Sequence, residues 1–154
     1  MDVCTSYFEL ATRAYAGLDK LFKVAEEMEW YNLFAPECEQ IIEKLLKALL
    51  EVSVKEPVPE LMRTHNLLKI GKYLNTIYTD LIDLKTVAWI GSFYFNARYP
   101  GDDFIYVTHA DATALKTATT VIADKLISTL HSVQSSEAST NPTSYFEVND
   151  DTSC

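Results

Sequence analysis

Apolar residues recur every three or four positions through most of this sequence, a period that matches one face of an α-helix. The first such stripe runs through residues 6 to 28 and consists of Tyr7, Ala11, Ala14, Leu18, Leu21, Phe22 and Ala25. No alternating, strand-like run is longer than FIYV at residues 104–107. The pattern therefore predicts an all-α fold, and a chain of 154 residues that is 48% hydrophobic can bury one core.

A second helix is predicted over residues 36 to 51, because Pro36 suits a first helical turn, where its missing N–H is not needed. The polar residues of this helix are expected to point outward into solvent. They are Glu39, Glu43, Lys44 and Lys47. Lys44 and Lys47 would form a basic strip with Lys20 and Lys23 of the first helix if the two helices packed side by side. The other interpretation is a solvated, salt-bridged surface.

Turn and capping residues indicate where the remaining helices begin and end. A short third helix is predicted from Leu67, and Asp80 is expected to cap a fourth helix over residues 81 to 97, which ends at the RYPGDD turn. Thr108 and Asp111 have the spacing of a capping box at the start of the last helix. We therefore predict an antiparallel up-and-down bundle of four to five helices.

The chain divides by composition into two parts. Residues 1–132 hold the predicted bundle, and residues 133–154 form a polar acidic tail with four Asp or Glu residues and no Lys or Arg. The tail has too little apolar content to fold alone, so we expect it to be disordered.

The overall charge limits the possible partners. Thirteen Lys and Arg residues against 22 Asp and Glu residues give a net charge of -9, which repels nucleic acid and anionic membranes. A nucleotide or RNA site would therefore need a local basic patch.

Cysteine usage and the apolar runs indicate a cytoplasmic protein. Cys4, Cys38 and Cys154 are far apart, and no CxxC pair or nearby His predicts a metal site. The N-terminus shows no signal-peptide pattern, and no apolar run approaches the ~18 residues that a membrane helix requires. We expect no metal, no cofactor and no membrane insertion.

Several sequence motifs, taken in order, resemble the HEPN domain family. They are CEQIIEKLLKALL, THNLLKIGKYL, FNARYP and YVTHADATALKTATTVI, and the resemblance covers about residues 4 to 131. It implies a four- to five-helix antiparallel bundle that is usually dimeric. It also implies a possible nucleotidyltransferase partner, because many HEPN domains lie beside a minimal nucleotidyltransferase in toxin–antitoxin pairs.

One branch of the family consists of metal-independent ribonucleases, in which an Arg precedes a His by four to six intervening residues. In that branch the imidazole moves protons and the guanidinium neutralises charge on the phosphate. Here Arg63 and His65 are separated by one residue, and Arg98 and His109 by ten. The ribonuclease spacing is absent, so the resemblance favours a chain without this activity.

The chain is closer to another branch, similar to the HEPN domain of the large chaperone-like protein sacsin. The motifs His65-Asn66-Leu67 and Arg98-Tyr99-Pro100 match that branch, which is linked with nucleotide binding. We expect the two motifs to lie side by side. The candidate ligand-binding residues are Arg98, His65, Tyr99, Lys44, Lys47 and Arg63.

Structural roles are the alternative for these residues. His65 or Asn66 could cap the helix that begins at Leu67, and Arg98 could stabilise a helix C-terminus at an architectural corner. Trp30, in a break between helices, is a candidate for a dimer or partner surface, together with Tyr31 and Phe34.

Three functions are compatible with the sequence. The first is a non-catalytic HEPN protein that dimerises and binds a nucleotide or a protein partner such as a nucleotidyltransferase. The second is an endoribonuclease toxin, which would require residues such as His65 and His109 to converge across a dimer. The third is a scaffold or regulatory protein whose acidic tail binds a basic partner.

Overall fold

The computed structural model describes residues 6–139, and every regular element in this range is helical. The elements are α1 (Tyr7–Ala16), α2 (Leu18–Met28), a 3-10 turn (Tyr31–Leu33), α3 (Ala35–Ser53), α4 (Pro59–Arg63), α5 (Leu67–Ile77), α6 (Leu84–Gly91), α7 (Phe93–Asn96) and α8 (His109–Ser139). The predicted all-α bundle is confirmed. Pro36 lies in the first turn of α3, as its missing N–H requires.

Helix α3 is the centre of the bundle. It packs against α1, α5, α6, α7 and α8. Between Cys38 and Leu50 every residue of α3 except Gln40 and Lys44 is buried, including the apolar Ile42, Leu46 and Leu49. A helix surrounded in this way along its middle buries polar residues as well as apolar ones.

The predicted first helix is interrupted at Gly17. Helix α1 ends at Ala16, and the Gly17 N–H bonds to the Ala14 and Tyr15 carbonyls before α2 begins at Leu18. Helix α2 then ends at Glu29, which has a left-handed backbone (φ 52°) and whose N–H bonds to the Ala25 and Glu26 carbonyls. The prediction of one continuous helix over residues 6–28 is therefore wrong.

Glu29 is an unusual residue for this left-handed position, because a Cβ disfavours positive φ and glycine does not. We expect Glu29→Gly to raise the free energy of unfolding by about 0.5–1 kcal/mol. Lys23→Gly, at an exposed position inside α2, should instead lower it by about 1 kcal/mol. Urea denaturation measures both, and an equal loss in the two variants would contradict the expectation.

Capping residues set the ends of the later helices. The prediction that Asp80 caps the fourth helix is wrong, since Asp83 does so by accepting from the Thr86 N–H (3.2 Å). Asp80 instead takes a left-handed turn conformation (φ 53°). The capping box at α8 is confirmed, because the Asp111 N–H donates to the Thr108 hydroxyl and the Thr108 N–H donates to the Asp111 carboxylate.

Helix α8 continues to Ser139, beyond the expected boundary at residue 132. Serine hydroxyls in its last turns donate back to carbonyls of the same helix, as Ser132 does to Ser128 and Ser135 does to His131. Residues 140–154 lie outside the described range, so the predicted disordered tail stays a prediction. Among residues 6–139 no helix is long and apolar enough to cross a membrane.

Candidate functional site

The polar face of α3 is buried. Glu39 is 0% exposed, Lys47 3% and Glu43 4%. The prediction that these three side chains point outward is wrong, and so is the basic strip that would have included Lys47. The cause is the central position of α3, whose polar face is covered by neighbouring elements, including Tyr7 of α1, whose ring centre lies 5.9 Å from the Lys47 Nζ.

Glu43 joins this buried face to the surface. One carboxylate oxygen, Oε2, lies 3.4 Å from the Lys47 Nζ. The other, Oε1, accepts a hydrogen bond of 2.7 Å from the Nδ1 of His65, whose side chain is 44% exposed. A carboxylate can only accept a hydrogen bond, so the Nδ1 that faces Glu43 carries the proton. The nearly buried carboxylate therefore fixes the orientation of the half-exposed imidazole.

The two sequence motifs meet through Tyr94 of α7. The imidazole of His65 stacks on the Tyr94 ring, with ring centres 4.3 Å apart and an interplanar angle of 16°. The guanidinium carbon of Arg98 lies 4.9 Å from the centre of the same ring, a cation–π distance. The segment at His65 and the corner at Arg98 therefore lie side by side, as expected.

An open groove of about 570 Å³ lies beside this stack. Its lining residues are Arg63, Thr64, His65, Asn66, Leu67, Leu68, Ala88, Gly91, Tyr94 and Phe95. Asn66 caps α5 by accepting from the Lys69 N–H (3.1 Å), which confirms the capping interpretation for this residue. The groove therefore combines aromatic and apolar walls with a guanidinium, an imidazole and the N-terminus of a helix.

Glu39 lies one helical turn before Glu43. Its pKa is raised to about 7, mainly by burial and also by the charge of Glu43, although the Gln40 hydrogen bond and the charges of Arg98 and Lys47 act to lower it. Gln40 Nε2 donates to Oε2 of Glu39 (2.8 Å), and Oε1 has no hydrogen-bond partner among the described residues.

The remaining candidate residues lie at different distances from the groove. Arg63 lines it, whereas Tyr99 is 57% exposed and contacts Phe95, a lining residue, at a ring distance of 6.0 Å. Lys44 is half-buried and makes no ion pair with residues 6–139. Tyr94 was not among the predicted site residues, because it falls on the apolar stripe of its segment and carries no signal of its own.

The three aromatic residues of the predicted partner surface have different environments. Trp30 is 40% exposed, Tyr31 is half-buried and Phe34 is fully buried. The prediction for Phe34 is wrong, because its ring packs edge-on against Phe22 at 5.2 Å inside the core.

Within residues 6–139 no group of three or more His, Cys, Asp or Glu side chains could hold a metal ion. Cys38 is buried, and burial raises the pKa of its thiol to about 12, so it is unreactive as a nucleophile near neutral pH.

The structure defines a small all-α bundle whose central helix carries a buried charged face next to an open, partly basic groove. The family model described as the HEPN domain matches residues 9–128, and the chain belongs to this family. Comparison with curated proteins and with solved structures found no match.

Proposed function

We propose that the protein is a non-catalytic HEPN domain that binds a nucleotide in the groove beside His65. The observation that carries the proposal is the convergence of Arg63, His65 and two aromatic rings, Tyr94 and Phe95, on one groove of about 570 Å³. This volume is within the range of about 300–1,000 Å³ that is typical of small-molecule sites.

The two parts of a nucleotide have matching chemistry in this groove. Aromatic side chains offer surfaces on which a base can stack. Guanidinium groups bind phosphate through their planar fork of donors, and the N-terminus of α5, which includes Leu67 and Leu68, favours an anion. Arg63, His65 and Arg98 supply the local basic patch that an acidic chain requires for an anionic ligand.

Family membership supports two further parts of the proposal. HEPN domains commonly dimerise, and we propose that this chain forms a homodimer and can pair with a nucleotidyltransferase. Size-exclusion chromatography with light scattering tests the homodimer, since a monomeric mass at all concentrations would remove this part. The missing ribonuclease spacing and the match of both motifs support the assignment to the sacsin-like branch.

Nucleotide binding is tested by isothermal titration with ATP and GTP. We expect binding that weakens by roughly tenfold or more in Arg98→Ala and in Arg63→Ala, because a hydrogen bond to a charged group contributes about 1.5–3 kcal/mol. Adenosine should bind more weakly than ATP, since it lacks the phosphates that the guanidinium groups contact.

Arg13→Ala is the matched control, because Arg13 lies on α1, is exposed and pairs with Glu9. Its affinity for ATP should equal that of the parent chain. No heat of binding at millimolar ATP and GTP would refute the proposal, and an equal loss of affinity in Arg13→Ala would remove the groove as the site.

A ribonuclease is the second candidate, and one observation favours it. Glu43 holds the imidazole of His65 in one orientation, as a general acid or base requires. His109 lies elsewhere, with its ring 5.4 Å from that of Tyr31. Incubation of the protein with total RNA separates the candidates, because cleavage that is lost in His65→Ala and kept in His109→Ala would favour the ribonuclease.

A further inference from the structure

Exposed apolar side chains cluster at the end of the bundle where α3 begins. Among residues 6–139, six of the twelve large exposed apolar residues lie in two short segments, 28–33 and 99–106. They are Met28, Trp30, Leu33, Tyr99, Phe104 and Tyr106. Single exposed apolar residues are ordinary, but a contiguous cluster marks an interaction surface.

Asn32 holds the two segments together. Its buried side-chain amide donates to the Ala97 carbonyl (3.0 Å) and the Ile105 carbonyl (2.7 Å), and its oxygen accepts from the Val107 N–H (3.0 Å). Across this junction the rings of Trp30 and Tyr106 meet edge-on at 5.6 Å. The two segments therefore meet at Asn32 and at the Trp30–Tyr106 contact, and we name residues 26–33 and 99–106 the acidic aromatic face.

The charges on this face all have one sign. Its 16 positions hold five acidic residues and no Lys or Arg. The acids are Glu26, Glu27, Glu29, Asp102 and Asp103, and all are exposed. His109 lies 3.5 Å from Glu26, whereas the other four acids make no ion pair with any residue between 6 and 139.

We infer that the acidic aromatic face docks a basic amphipathic segment of a partner protein, one that presents apolar side chains flanked by Lys or Arg. Aromatic residues anchor interfaces, and an acidic rim selects a basic partner and speeds its association. A second copy would oppose like charges, which disfavours association, and nucleic acid would be repelled in the same way. None of the residues that line the groove belongs to this face, although Tyr99, a candidate nucleotide contact, lies in it. The tests therefore change Asp102, Asp103 and Tyr106, which the nucleotide proposal does not use.

Trp30 provides a direct reporter. In a Trp89→Phe background it is the single Trp of the chain. We expect its emission to change on titration with a synthetic Leu/Lys amphipathic peptide of about 18 residues, long enough to form a helix. A Leu/Glu peptide of the same pattern should leave the emission unchanged.

Charge reversal locates the binding surface. Asp102→Lys with Asp103→Lys should weaken the Leu/Lys peptide at least tenfold, and Tyr106→Ala should weaken it without a change of charge. The matched control is Glu51→Lys with Glu56→Lys, which makes the same change of net charge near the other end of α3, a helix of 19 residues that is about 28 Å long. This control should change the affinity less than twofold, and circular dichroism checks that each variant is folded.

Three results would overturn the inference. The first is no change of Trp30 emission with the Leu/Lys peptide, or an equal change with the Leu/Glu peptide. The second is an equal loss of affinity in the Glu51 and Glu56 control, which would mean attraction to the whole acidic chain. The third is a dimer that becomes monomeric in Tyr106→Ala, which would assign the face to a second copy.

Discussion

Glu43→Leu, with Lys47 unchanged, is expected to lower the free energy of unfolding by about 3–5 kcal/mol. Lys47 is 3% exposed, and its ammonium lies 3.4 Å from the Glu43 carboxylate. Without that carboxylate the ammonium stays buried and has lost the partner of its ion pair. Guanidinium chloride unfolding measures the loss, and the slope of the transition shows whether the native state stays compact.

A double variant separates the pair from the packing. Glu43→Leu with Lys47→Met removes both charges and keeps similar side-chain volumes, so we expect it to recover most of the stability that Glu43→Leu loses. Glu37→Leu is the control on the same helix, and because Glu37 is exposed its effect should stay within about 0.5 kcal/mol. If the double variant were as unstable as Glu43→Leu, the lost interaction would be the one with His65.

Local sequence signals predicted the ends of several helices correctly. Pro36 and the Thr108–Asp111 capping box act within a few residues of their own positions, so neighbours along the chain are enough to interpret them. Asp80 and Asp83 show the limit, because either acid could cap a helix in this segment. Which of the two acids caps the helix depends on where Leu84 and Val87 pack against the core, and that is set by the tertiary fold.

The polar face of α3 could not be predicted from its own sequence. The spacing of Glu39, Glu43 and Lys47 is the one that a solvated helix surface has, and Glu43 and Lys47 also have the spacing of an ordinary surface ion pair. Whether such a face is exposed depends on how many helices surround it. That number follows from the packing of the whole chain and not from the period of one segment.

Only part of the candidate site could be predicted, and the rest was missed for the same reason. The motifs at His65 and Arg98 were found because each resembles a family pattern, and in the structure both residues contact the ring of Tyr94. Tyr94, which joins them, belongs to an apolar stripe that predicts core packing. A residue that completes a site through stacking has no spacing of its own to reveal it.

Stability should fall as the pH rises, because of Glu39. Its pKa is raised from 4.5 to about 7, mainly by burial, so the folded chain holds this proton more tightly than the unfolded chain does. Below about pH 4.5 the group is protonated in both states and contributes no penalty. Between about pH 4.5 and 7 the unfolded state ionises first, and folding loses about 3 kcal/mol over this window.

Glu39→Gln should remove this dependence, because a neutral amide of the same shape does not ionise. We expect the variant to match the parent chain near about pH 4.5 and to exceed its free energy of unfolding by up to about 3 kcal/mol near about pH 8. Urea unfolding at several pH values measures the difference, with Glu37→Gln as the exposed control on the same helix.

The charges around Glu39 decide how large the effect is. Glu43 opposes its ionisation, whereas Arg98 and Lys47 favour it. Arg98→Ala should therefore steepen the loss of stability with pH, because one of the two favourable charges is gone. In a Glu39→Gln background, Arg98→Ala should no longer change the pH dependence of the free energy of unfolding. Parallel pH curves for the parent chain and Glu39→Gln would show that Glu39 stays ionised in the fold, and hence that water or a cation reaches its unpaired oxygen.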